Sequence, residues 1–283
     1  MTTIAVVAMG EMGAALAQQL VARGVRVVTA LAGRSAQSSA RATEAGVVIL
    51  SDAELTAEAD IILSIVPPAV AAAIAARFLP GIAASPRKPT LIDCNAIAPK
   101  TLHALAQPYL ERGLCIGDAS IIGLPPRIDG YTPRIYMSGD IASEATELAG
   151  MGLQIRLLSP QLGDASGIKM AYAGITKGVQ AIGTAMALGA ARAGTAEAFV
   201  AELRDTQPQL YAWLAKMLPT MPRKAYRWDD EMREIATFLE PERGAADMLG
   251  GAAALYRHVA ADNVSGTQSE IVTILDAFVA NRN

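Results

Sequence analysis

The apolar positions of this chain change period once. Over roughly the first 160 residues, short apolar runs alternate with helix-like stretches. Ile4 to Ala8 is a continuous β-prone run and predicts a buried strand. The turn Met9-Gly10-Glu11-Met12-Gly13 follows, then an apolar helix from about Ala14 to Arg23. Arg26 to Ala30 predicts a second strand, residues 36 to 45 a helix, Val47 to Leu50 a third strand and Ala59 to Val66 a fourth. Pro67 and Pro68 end that fourth run, and a helix can begin there with proline in its first turn. Leu79 to Pro89 reads as a proline-bearing linker. Thr90 to Asn95, Leu114 to Ser120, Arg134 to Gly139 and Leu153 to Leu157 predict four more strands, with a helix from Ile141 to Ala149. From Gly163 the pattern is helical: one long Ala/Gly-rich segment, Ala165 to about Arg192, then shorter amphipathic pieces to Val279. The expected fold is α/β, an N-terminal Rossmann doubly wound sheet over residues 1–160 followed by an all-α C-terminal domain over 161–283.

The first strand–turn–helix carries chemistry. Gly10, lacking a Cβ, lets backbone approach a pyrophosphate, Gly13 lets the helix pack on the strand, and Glu11 and Met12 supply N–H groups at the positive helix end. The usual three-glycine pattern is incomplete, because Ala8 stands at its first position. After the second strand no acidic residue occurs between Met12 and Thr43, so the usual carboxylate partner of a ribose 2′-hydroxyl is missing. Arg34 and Ser35 stand there instead, suited to a 2′-phosphate, which favours NADP(H) over NAD(H). The simpler alternatives are a solvated Arg34 and a Ser35 that caps the next helix. Val66 and Pro67, at the carboxyl end of the fourth strand, are candidate walls for the nicotinamide half. Asn95, ending the fifth strand, either faces the same crevice or caps the helix after Pro99.

Composition narrows the partners. The 283 residues are 52% apolar with a net charge of −3, which argues against a nucleic-acid binder. Cys94 and Cys115 form no disulfide framework, and with His103 and His258 they offer no metal-like spacing. No signal-like leader is visible, and no uncharged apolar run reaches the ~20 residues of a membrane span. A cytoplasmic enzyme acting on a small molecule is the expectation. Small residues at Ala171, Gly174, Gly178, Gly183, Ala187 and Gly189 suit close helix packing, including a homodimer through the helical domain.

The segments VAMGEMGAALA, Gly33-Arg34-Ser35, DCNAIAP, GDASIIG and GDASGIKMAYAGITKG, in this order, resemble the β-hydroxyacid dehydrogenase superfamily, which includes 3-hydroxyisobutyrate and 6-phosphogluconate dehydrogenases. The wording YAGITKG is most similar to a branch with a short phosphogluconate-dehydrogenase-like C-terminal domain. The resemblance covers the whole chain and implies hydride transfer between a nicotinamide and a carbonyl or alcohol. It places the family's catalytic lysine on Lys169. An ammonium there stabilises negative charge on the carbonyl oxygen and donates a proton. Lys177, eight residues on, returns to roughly the same helix face and is a second candidate cation, although the simpler reading has it reaching outward.

The departures from the family are specific. Its Ser-Gly-Gly substrate loop is Ile122-Gly123-Leu124 here, its Ser-Thr after the fifth strand is Asn95-Ala96, and its Asn one turn after the lysine is Ala173. The hydride machinery is retained while the carboxylate-reading parts are altered. Tyr172 and Asn95 are candidates to replace the lost contacts, and Arg127 to meet an acidic group. An imine reductase is the alternative enzyme reading, although a lysine beside a positively charged iminium would be unhelpful. A non-catalytic NADPH-binding protein is the other alternative.

Overall fold

The computed structural model describes residues 2–127, 130–242, 244–264 and 269–280. It divides into two compact units, residues 1–170 and 171–283.

The first unit is built on one sheet. In chain order it contains β1 (Thr3–Val7), α1 (Glu11–Val21), β2 (Arg26–Ala30), α2 (Ala36–Glu44), β3 (Val48–Leu50), α3 (Asp52–Glu58) and β4 (Ile61–Ser64). Then come α4 (Ala71–Ala84), β5 (Thr90–Asp93), α5 (Pro99–Leu110), β6 (Ile116–Ile122), β7 (Arg134–Ser138), α6 (Ala142–Gly150) and β8 (Gln154–Ser159). The strand order is β3-β2-β1-β4-β5-β6-β7-β8, and every pair is parallel except β6–β7. The order reverses at β1, which places the crevice at the carboxyl ends of β1 and β4, as in doubly wound sheets.

Alternation along each strand serves two cores. Ile4 and Val6 of β1 face a core with Leu16 and Leu20 of α1 and Leu148 of α6, while Ala5 and Val7 face one with Leu55 of α3, Phe78 of α4 and Tyr109 of α5. Both faces are therefore covered, which explains why these strands read as continuous apolar runs.

One expected linker is helix instead. Leu79 to Ala84 completes α4, with Pro80 inside it. Pro80 is exposed while Ile74, Phe78 and Ile82 are buried one turn apart, so packing of the apolar stripe outweighs the hydrogen bond that proline removes. β6 also runs two residues later than its sequence suggests, ending at Ile122.

Helix α7 (Asp164–Arg192) passes from the first unit into the second. The second unit continues with α8 (Ala196–Thr206), α9 (Pro208–Met217), α10 (Ala225–Phe238), α11 (Ala245–Val264) and α12 (Glu270–Ala280). The small residues of α7 are used for contact. A Cβ on Gly183 would press on the Leu214 side chain of α9, and one on Gly174 would lie 3.3 Å from Ile235 of α10. Among the described residues, no helix is long and apolar enough to cross a membrane.

Candidate functional site

The site is assembled on the first unit, where the carboxyl ends of β1, β4, β5 and β6 meet the opening turns of two helices. At the first of these, Gly10 is the N-cap of α1, and no side chain caps that end. A Cβ on Gly10 would meet no protein atom within 4 Å. The fold does not require glycine there, and its absent side chain leaves open space above the helix end. Gly13 is the opposite case: a Cβ would run into the Ala8 carbonyl oxygen. The turn thus has one glycine that keeps a surface clear and one that seats the helix, which is the construction of a dinucleotide-binding turn. A pyrophosphate fits it by chemistry, since the α1 terminus presents backbone N–H groups and a partial positive charge.

Arg34 is half-buried beyond β2, and Ser35 is the N-cap of α2, its hydroxyl accepting from the Ser38 N–H at 3.3 Å. Capping leaves the Ser35 side chain exposed, so the two uses of that residue are compatible. Val66 is half-buried and Pro67 exposed, just before a short 3-10 turn that leads into α4.

Asn95 is only 2% exposed, and its side chain is committed within the protein. Its Oδ1 accepts from the Val66 N–H at 2.6 Å, and its Nδ2 donates to Asp93 Oδ2 at 2.6 Å and Ser64 Oγ at 3.2 Å. It ties the end of β5 to the wall after β4. It does not cap α5, whose N-cap is Ala98.

A row of buried polar residues crosses the sheet here. Ser64, Asp93, Asp118 and Ser138 are successive register partners on β4, β5, β6 and β7, each at most 1% exposed. The start of α7 sits on this row. Asp118 accepts from the Ser166 N–H and the Ser166 hydroxyl, each at 2.8 Å, and from Ser138 Oγ at 3.1 Å; Ser138 Oγ accepts from the Ala165 N–H at 2.9 Å. Burial pushes the Asp118 carboxyl above the usual carboxylate range, against the opposing pull of hydrogen bonds from Ser166, Ser138 and Gly163. Burial, then the neighbouring Asp93 and Asp118, push the Cys94 thiol well above its ordinary value, so it is no ready thiolate.

One turn into α7, Lys169 is half-buried and donates from Nζ to the Ile121 carbonyl at 2.7 Å. That carbonyl is at the end of β6, immediately before the altered loop. Gly123 has φ +137°, and a Cβ there would strike the Tyr131 hydroxyl. Tyr131 closes the loop: its hydroxyl accepts from the Leu124 N–H at 3.1 Å, and its carbonyl from the Arg127 N–H at 3.0 Å. Arg127 is exposed, its guanidinium 5.3 Å from the Tyr131 ring centre. Residues 128 and 129 of this loop lie outside the described residues. The contact of Tyr131 with Leu124 has no sequence signal, because only the loop's own fold brings the two together.

Tyr172 lies one turn beyond Lys169 on the same helix and is 53% exposed. Lys177 does not reach outward. Within the second unit its ammonium is ion-paired with Glu231 and lies 5.4 Å from the centre of the Trp228 ring. Both partners of the pair are nearly buried, with side-chain exposures of 14% and 15%.

A doubly wound, parallel-rich sheet followed in the chain by a helical unit is the architecture on which the comparisons converge. Residues 3–97 match the family described as NADP oxidoreductase, coenzyme F420-dependent, and residues 190–259 match a domain of unknown function, DUF1932. A conserved protein of unknown function, described as structurally similar to 3-hydroxyacid dehydrogenases, is 28% identical with a TM-score of 0.68, over 94% of this chain and 100% of the other. Mycobacterium tuberculosis 3-hydroxyisobutyrate dehydrogenase is 20% identical with a TM-score of 0.71, over 98% and 99% of the chains. An imine reductase from Myxococcus stipitatus, solved with NADP+, is 16% identical with a TM-score of 0.55, over 99% and 100%. These structural neighbours are β-hydroxyacid dehydrogenases and proteins likened to them, and the chain shares their fold.

Proposed function

We propose that this protein is an NADP(H)-dependent oxidoreductase that transfers hydride between the nicotinamide and a carbonyl or alcohol of a small, hydroxy-acid-like molecule. The observation that carries this reading is the placement of Lys169. Its ammonium is fixed on a backbone carbonyl at the end of a sheet strand, in the same unit as the uncapped α1 turn. A bound NADPH would supply the hydride. The backbone at Gly10 to Gly13 would hold its pyrophosphate, and Arg34 with Ser35 would meet the 2′-phosphate. Lys169 holds the proton that the carbonyl oxygen takes up, or receives the hydroxyl proton in the reverse direction. The Asn95 network holds the wall carrying Val66 and Pro67 in place.

The altered loop shapes the substrate class. Ile122 and Leu124 provide no hydroxyl for a carboxylate, so any acidic group falls to Arg127 or to Tyr172. That same loss favours a second reading, reduction of an imine, although an ammonium at Lys169 would repel a positively charged iminium. Two free cysteines accord with a cytoplasmic setting. The test is a panel of aldehydes, ketones and cyclic imines offered with NADPH and with NADH. Carbonyl turnover with tighter binding of NADPH supports the main reading. Turnover of imines alone supports the second, and cofactor binding with no turnover contradicts both.

The homodimer belongs to the same proposal. Tyr172, Ile175, Val179, Ile182 and Met186 follow one another at spacings of three and four on α7, a heptad seam. Four of them are more than half exposed, up to 71% at Ile175. An apolar groove of about 350 Å³ runs beside them, lined by Gly174, Gly178, Ala185, Met248 and Leu255 among others. A stable interface needs roughly 1,000 Å² in total. Five large side chains and a groove, presented twice across a two-fold axis, are of that order, and a second copy of the same seam is the self-complementary occupant.

A further inference from the structure

We infer that Asp118 is a positioning residue for Lys169: by holding Ser166 at the start of α7 it fixes the register that brings the lysine ammonium to the end of β6. Because this inference builds on the role of Lys169 proposed above, its test is arranged to separate the two.

The argument is geometric. Asp118 and Ile121 are three residues apart on β6, and their helical partners Ser166 and Lys169 are three residues apart on α7. Three residues advance a strand by about 10 Å but a helix by only about 4.5 Å. The extended lysine side chain, about 6 Å long, makes up the difference, which it can do only from a helix set at this height. A slip of one residue along α7 would turn the helix by about 100° and carry Nζ away from the strand end. Asp118 opposes that slip by accepting hydrogen bonds from the Ser166 N–H, the Ser166 hydroxyl and the Ser138 hydroxyl, and Ser138 in turn accepts from Ala165. Gly163, with φ +104° and Pro99 only 3.2 Å from where its Cβ would sit, fixes the chain's approach to the same point. A carboxylate is costly at a position with no solvent exposure. Two apolar residues would fill that space at less cost, whereas only a polar acceptor can seat a helix terminus whose N–H groups have no partner within the helix.

Asparagine in place of Asp118 keeps one oxygen for the Ser166 N–H and an amide that donates to the Ser166 hydroxyl, so it preserves the hold without the charge. Alanine removes it. The readout is the rate at which Lys169 is acetylated by N-hydroxysuccinimidyl acetate, followed by peptide mass spectrometry, with exposed Lys88 and Lys216 as internal references. In Asp118→Ala, Lys169 labels about fivefold faster, the equivalent of losing one hydrogen-bonded hold, while the reference lysines keep their rates. In Asp118→Asn it labels at the wild-type rate. Should Asp118→Ala lack a folded circular-dichroism spectrum, the doubly substituted Ser138→Ala, Ser166→Ala protein is read in its place, with the same expectation. An unchanged Lys169 rate in the folded variant overturns the inference. Faster labelling in a protein that turns over no carbonyl supports the hold and refutes the chemistry assigned to the lysine.

Discussion

One helix carries two lysines eight residues apart, in different surroundings. Lys169, in the first unit, donates to the Ile121 backbone carbonyl at the end of β6. Lys177, in the second unit, is matched by the Glu231 carboxylate and the face of Trp228, with the Tyr256 hydroxyl donating to its own carbonyl at 2.6 Å. A backbone carbonyl fixes where an ammonium sits, whereas a carboxylate on another helix pairs with its charge. The first sets an ammonium at the strand end where the proposed chemistry needs it, and the second ties α7 to α10. In sequence both residues lie among small and apolar neighbours, and only the partners brought by other elements distinguish them.

The largest effect separates these lysines by rate. Lys169→Ala is expected to lower hydride transfer by about 10²- to 10⁴-fold, with NADPH affinity retained. Lys177→Ala should keep turnover near wild type but lose about 3 kcal/mol of stability in urea denaturation, because Glu231 is left buried without its partner. Equal losses of rate in both variants would erase the contrast. A smaller effect concerns the seam beyond Lys169: Ile175→Glu with Ile182→Glu should convert a dimer to a monomer in sedimentation while leaving helicity intact. A monomer before substitution would remove the seam from the account.

Smaller again is a pair of glycine changes in the α1 turn. Gly13→Ala should cost about 1–3 kcal/mol, since its Cβ collides with backbone. Gly10→Ala should leave the melting temperature unchanged and weaken NADPH binding about tenfold, since its Cβ fills only the open space above the helix. The smallest is Arg34→Ala, expected to narrow the preference for NADPH over NADH about fivefold by removing one charge-assisted contact.

Much of the first unit was legible because its signals are local. Continuous apolar runs mark strands covered on both faces, and the glycine turn follows directly on one of them. The exceptions depend on distant residues. Pro80 reads as a breaker until the buried stripe Ile74, Phe78 and Ile82 shows what holds α4 together. Asn95 reads as a ligand group or a cap until Ser64, Asp93 and Val66 converge on it. The row Ser64, Asp93, Asp118 and Ser138 has no sequence signature, since strand register alone aligns it. The facing of Lys177 required Glu231, fifty-four residues away, to be brought alongside.

The most direct test of Lys169 as the proton donor is chemical rescue. Single-turnover NADPH oxidation is followed with a carbonyl that the wild-type protein reduces, using Lys169→Ala with and without added ethylammonium. The expected result is a rate lowered by at least about a hundredfold that rises in proportion to the amine concentration. A full rate in the variant without any amine would contradict the assignment.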